Sequence, residues 1–178
     1  MEPNTLALRI AHRRFQDHQV QQTTFRLLEE NVLCSLATVT PRGRAHIHTA
    51  YFAYSDEPEL FFYSYPDSQH AKNIRKNPSM AVTIFSPGQT WGVPGRGMQL
   101  FGTCREAQQD LEAKAERLYG ERFKGFRRWM ENQKRSEGRF LLHPYRFLPE
   151  RVKLFDDLVF GSGVYVVSSV KREHTRQL

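Results

Sequence analysis

Ser68, His70 and Lys72 stand where an apolar strand ends and a short helix is predicted to begin. The first amides of a helix have no partner within it, and together with the helix dipole they attract an anion. The Ser68 hydroxyl can donate to such an anion, His70 donates in either tautomer, and Lys72 adds a full positive charge. The chemistry implied is phosphate binding. Each residue also has an ordinary explanation: serine is a common N-cap, and a lysine in a first turn is frequently just solvated.

The neighbouring residues suit a flat ring next to that anion. Tyr63 and Ser64 end the strand that feeds the helix, and Tyr51 and Phe52 lie on an adjacent strand. Such aromatics line ring sites, and more often they are core. His46 and His48 alternate on one strand and so share a face. Two ligands on a strand are a weak basis for a metal or haem, and no metal site is expected. Cys34 and Cys104 each fall in an apolar strand and read as buried thiols, since a disulfide framework or zinc site needs more ligands at closer spacing. No side chain reads as a catalytic acid, base or nucleophile.

The elements that must position these residues follow from periodicity and punctuation. Residues 5–30 read as helix, broken near 18–22, with Leu6, Ile10, Phe15, Phe25, Leu27 and Leu28 as the apolar face. The period then changes. Residues 32–39 and 45–54 are strands around the turn Pro41-Arg42-Gly43-Arg44, and 60–63 is a third strand of the same meander. A helix from Ser68 to Lys76 is stopped by Asn77-Pro78. Strands follow over 80–85 and 97–107, helices over 110–119 and 123–130, and two last strands over 145–155 and 158–167. About seven strands with few helices predict a mainly β, closed or nearly closed antiparallel barrel with helices outside. The expected organisation is a helical extension over 1–30, a barrel domain over 31–170 and a basic tail over 171–178.

The chain has 178 residues and a net charge of +7, which favours an anionic partner. The charge is spread out and interleaved with acids, so no single basic block dominates. The cations between Arg122 and Arg139 alternate with Phe123, Phe126 and Trp129. That pattern suits nucleic acid, but it describes a helix packed on a barrel better. No apolar run is long enough to span a bilayer, and the first twenty residues lack a signal-peptide core, so a cytoplasmic protein is expected.

Read in order, several motifs resemble the pyridoxamine 5′-phosphate oxidase-like FMN-binding split-barrel superfamily. They are Leu36-Ala37-Thr38-Val39, Pro41-Arg42-Gly43-Arg44, Phe62-Tyr63-Ser64, the stretch from Ser68 to Asn77-Pro78, Arg96-Gly97-Met98-Gln99-Leu100-Phe101-Gly102 and Arg146-Phe147-Leu148-Pro149-Glu150-Arg151-Val152. The likeness covers roughly residues 25–167 and is nearer to a poorly characterised bacterial branch with His in the Ser-x-His helix start. It implies a six- to seven-stranded split barrel, a homodimer and an FMN site at the subunit interface. By position it implies His48, Thr49, Ala50 and Tyr51 along the flavin, with Tyr63, Ser64, Gln69, His70 and Lys72 at its phosphate, beside the helix-cap donor Ser68. Arg96 and Gly97 complete the implied site.

Departures from the family pattern narrow the function. His48 stands where an arginine is frequent, and Gln69-His70 where Arg-Lys is frequent. Gly97 replaces a glutamine that meets the flavin, and Ala53 replaces the lysine that holds pyridoxine phosphate in the true oxidase. The resemblance therefore implies a flavin-dependent oxidoreductase of some other small molecule, not a pyridoxal phosphate-forming oxidase. Related barrels bind haem or the deazaflavin F420, and these are the rival cofactors.

Overall fold

A computed structural model describes residues 10–14, 18–57, 59–138 and 141–170, with side chains from residue 18 onward. The basic tail over 171–178, and the parts of the expected N-terminal extension at 1–9 and 15–17, lie outside the described residues.

The strands alternate as the sequence predicts. β2 (Leu33–Val39) and β6 (Ser79–Phe85) bury every second side chain, Cys34 and Leu36 on one, Met80, Val82 and Ile84 on the other. That is the signature of a sheet with one face on the core. β2 pairs antiparallel with β3 (Ala45–Tyr51) and with β6. β6 pairs with β7 (Arg96–Glu106), and β7 with the long β8 (His143–Asp156). β9 (Tyr165–Ser169) closes on β8. The seven-strand path runs β1-β9-β8-β7-β6-β2-β3, while β4 (Ala53–Tyr54) and β5 (Leu60–Ser64) pair with each other and β5 also with β8. The result is a split β-barrel with helices packed on it.

Three expectations need correction. Residues 10–14 are not helical: they form β1 (Ile10–Arg14), paired parallel with β9, and only α1 (His18–Glu30) is helix. Residues 45–54 are not one strand. The chain breaks at Phe52, whose amide donates to the Val32 carbonyl, and then turns away from β2 to pair with β5. The last strand does not begin at Leu158, because Asp156 caps a short helix, α5 (Asp157–Phe160), through its carboxylate.

α1 buries Val20, Leu27 and Leu28 on one stripe against the barrel core. Its C-terminal end is capped by Arg122, which donates to the carbonyls of Leu28 and Asn31, both at 2.6 Å. α2 (Gln69–Lys76) lies beside the start of the barrel core with Ala71 and Ile74 inward. α3 (Asp110–Arg122) and α4 (Phe126–Glu137) form a second cluster in which Ala115, Leu118, Tyr119, Phe126 and Met130 cover Ala53 and Phe61. α4 starts at Phe126 and runs to Glu137, seven residues past the end expected at Met130. The buried carboxylate of Glu59 ties α3 to the sheet, because Lys114 and Arg146 both bond to it.

Candidate functional site

Ser68 is the N-cap of α2, and its Oγ accepts from the Ala71 amide at 3.4 Å. The serine hydroxyl therefore satisfies one helix-start amide. It also meets the imidazole two residues on and the Ser64 hydroxyl. His70 Nε2 lies 3.1 Å from Ser68 Oγ and 2.5 Å from Ser64 Oγ, and the two hydroxyls are 3.2 Å apart. The backbone conformation at Ser68 turns the chain from β5 into α2, which is why a strand-end serine and a helix-start histidine meet.

His70 is buried, with its ring parallel to that of His48 at 4.0 Å and to that of His46 at 6.2 Å. Burial pushes its pKa down to about 4, and the neighbouring imidazoles of His48 and His46 add to that. His48 is also pushed below its ordinary value, by burial and then by His46. Both rings are thus neutral at pH 7, so the cluster can donate and accept without carrying charge.

His48 is shared between this cluster and a cavity of about 760 Å³. Along β3 the cavity is lined by His48, Thr49, Ala50 and Tyr51, and Tyr63 joins them from β5. The opposite wall comes from the end of α3 and the start of α4: Tyr119, Phe123 and Phe126, with Lys124, Arg128, Trp129 and Asn132. Tyr119 donates its hydroxyl to the Tyr51 carbonyl at 2.7 Å and meets Tyr63 edge-on, ring centroids 4.8 Å apart. Tyr51 meets Phe123 edge-on at 5.7 Å. These contacts brace α3 and α4 against β3. Burial, then Glu116 and Glu112, raise the Tyr63 phenol above its ordinary range, so it stays protonated.

Five of the twelve sequence-predicted residues, His48, Thr49, Ala50, Tyr51 and Tyr63, thus line one cavity, and Ser64, Ser68 and His70 adjoin it through His48. The other four are elsewhere in this chain. Gln69 is exposed and donates to the Asn73 side chain at 2.8 Å. Lys72 is exposed on α2. Arg96 pairs with Glu30 at 3.3 Å. Gly97 packs under the Phe155 ring, where a Cβ would come within 2.8 Å of it.

The α3–α4 wall escaped sequence reasoning as a site. Its signal, aromatics at spacing three with cations between, is present in the sequence but describes a helix packed on a barrel better. α4 is that, through Phe126 and Met130. Lys124 and Arg128, just before and within the first turn, nevertheless reach the cavity. Among the described residues no group of three or more His, Cys, Asp or Glu could hold a metal ion, and both cysteines are free and buried. Nor is any helix among them long and apolar enough to cross a membrane.

The fold recurs in solved structures. A protein of unknown function from Agrobacterium tumefaciens is 18% identical, with a TM-score of 0.64; the match covers 80% of this chain and 59% of that one. HutZ, the haem storage protein of Vibrio cholerae, is 19% identical over 81% of this chain and 95% of its own, with a TM-score of 0.60. A FAD-binding protein from Mesorhizobium loti is 18% identical over 74% and 89%, with a TM-score of 0.55. No curated protein matches the sequence. The profile of the pyridoxamine 5′-phosphate oxidase family matches residues 20–154, which span the helix α1, the cavity and most of β8, and the chain belongs to that family.

Proposed function

We propose that this protein binds FMN in the cavity between β3 and the α3–α4 wall and serves as a flavin-dependent oxidoreductase of a small molecule. The observation that carries the reading is the position of His48. It lines the aromatic cavity on one side and stacks on His70 at 4.0 Å on the other, so a ring site and a polar helix start are contiguous.

The residues suit a flavin. The cavity volume falls in the range of about 300–1,000 Å³ usual for cofactor pockets. Tyr51 and Tyr63 offer flat apolar faces. Among the described residues β3 ends the sheet path and pairs only with β2, so its outer edge leaves amides and carbonyls for the polar rim of a ring. At the other end, Ser64, Ser68 and His70 supply hydroxyl and imidazole donors to a phosphate, beside the amides of Gln69 and His70 at the start of α2. When bound, the flavin supplies hydride or electron transfer. The chain's own part is to hold the ring, anchor the phosphate and exclude water.

The substrate in this reading is not pyridoxine phosphate. Ala53, where the true oxidase has its lysine, is fully buried against Phe61 and offers the cavity no cation. A homodimer is part of the same proposal. Leu33, Val39, Ile47, Tyr51 and Phe85 expose apolar surface along β2, β3 and β6, with Ile47 71% exposed. Gln69, Lys72, Arg96 and Gly97 enter the cofactor site in this reading only with the help of a second copy or of side-chain movement. The two buried free thiols suit a cytoplasmic setting.

Haem is the second reading. It is favoured by His48, an imidazole kept neutral at the cavity wall and so ready to ligate. An absorption spectrum of the protein titrated with FMN and with haemin separates the two. Flavin bands that shift on titration support FMN, and a Soret band that forms only with His48 intact supports haem. Indifference to both ligands overturns the proposal.

A further inference from the structure

The cavity has a second end that the flavin reading does not use. Lys124, in the turn between α3 and α4, and Arg128, in the first turn of α4, both line it. Neither has a hydrogen-bonded or ion-paired acid among the described residues. Arg122, in contrast, is committed to the α1 carbonyls and lies over the rings of Phe52, Tyr54 and Phe123.

The lining contains no Asp or Glu, and the first turn of α4 has no acidic residue. Arg128 stands in the first turn of α4, where the helix dipole disfavours a cation, so an anion beside it is favoured. Trp129 and Phe126, ring centroids 6.0 Å apart, and Phe123 flank the two cations. A flat apolar surface next to a pair of unpaired cations is complementary to one kind of molecule, an aromatic ring bearing an anionic group. A guanidinium also matches a carboxylate in planar, two-pronged geometry.

We propose that the α4 end of the cavity is a subsite for a planar aromatic carboxylate, its ring against Trp129 and Phe123 and its carboxylate held by Arg128 and Lys124. The role of this molecule as the substrate rests on the flavin reading; its binding does not. The subsite places anion recognition on α4, at residues that the sequence reading did not single out as site residues.

The test uses Trp129 as its own reporter. The chain has two tryptophans, and Trp91 is fully exposed, so Trp91→Phe leaves Trp129 alone without disturbing packing. This variant is titrated with 4-nitrobenzoate and with the neutral 4-nitrobenzamide, following quenching of Trp129, with and without saturating FMN. The acid is expected to bind about tenfold more tightly than the amide, the scale of one charge-assisted contact. Lys124→Gln and Arg128→Gln together should abolish the preference while circular dichroism stays unchanged, since both side chains are exposed.

Equal affinity for acid and amide overturns the subsite, as does a preference that survives the double substitution. Displacement of nitrobenzoate by FMN also overturns it, because the cations would then hold the flavin phosphate. If FMN fails to bind but the acid preference persists, the flavin reading falls and the subsite stands.

Discussion

His48 on β3 and His70 on α2 lie face to face, ring centroids 4.0 Å apart and planes inclined by 13°. This contact joins the wall of the cavity to the start of a helix. Because His70 also meets Ser64 and Ser68, removing its ring takes away a donor and loosens both hydroxyls. His70→Ala should weaken FMN binding by about 1–3 kcal/mol, the range for a lost hydrogen bond to a charged group. Lys72→Ala should cost under about 1 kcal/mol, because an exposed cation is screened by water. Flavin fluorescence titration measures both. A larger loss for Lys72 than for His70 would put the phosphate on the outer face of α2.

The same burial makes stability depend on pH. His70 is held neutral down to about pH 4 in the folded chain, whereas in the unfolded chain it protonates near its ordinary value of 6.5. Between those values the unfolded state binds a proton that the folded state refuses. Stability should therefore fall as pH drops from 6.5 to 4, by up to roughly 3 kcal/mol from this group. Urea unfolding at pH 7.5 and pH 4.5 should show that loss in the native chain and a smaller one in His70→Asn. An equal loss in both would assign the pH dependence to other groups.

Gly102 marks a shift of register between β7 and β8. A Cβ there would collide with the Leu148 carbonyl and the Pro149 backbone, both main-chain atoms that cannot move aside cheaply. Gly102→Ala should destabilise the protein by about 2–4 kcal/mol, as overpacking and a displaced strand pair combine. Thermal melting would show it, and an unchanged melting temperature would mean that the two strands separate more easily than this contact implies.

Arg122 joins three elements. From the end of α3 it caps α1 and lies over the rings of Phe52 and Tyr54, 4.9 and 4.8 Å from their centroids. Arg122→Ala should cost about 2–3 kcal/mol through lost carbonyl bonds and ring contacts, and Arg122→Lys should recover only part, since an ammonium lacks the planar guanidinium face that lies over the Phe52 and Tyr54 rings. Chemical denaturation of the two variants checks the difference; full rescue by lysine would reduce the role to charge alone.

The sequence by itself determined what is local. Alternation in β2 and β6 placed Cys34, Leu36, Met80, Val82 and Ile84 inside, because a pleated strand has only two faces. Ser68 as the cap of α2, and Asn77-Pro78 as its end, followed from backbone chemistry within a few residues. The tertiary structure decided what depends on distant partners. β1 is a strand because β9, some 155 residues on, offers an edge to Ile10–Arg14, and no pattern within the segment announces that. β3 gives way to β4 at Phe52 because the chain changes partner from β2 to β5. Likewise, Lys124 and Arg128 read only as part of a helix packed on a barrel until α3 and α4 fold back on β3, since a helix pattern fixes which residues share a face but not what that face will meet.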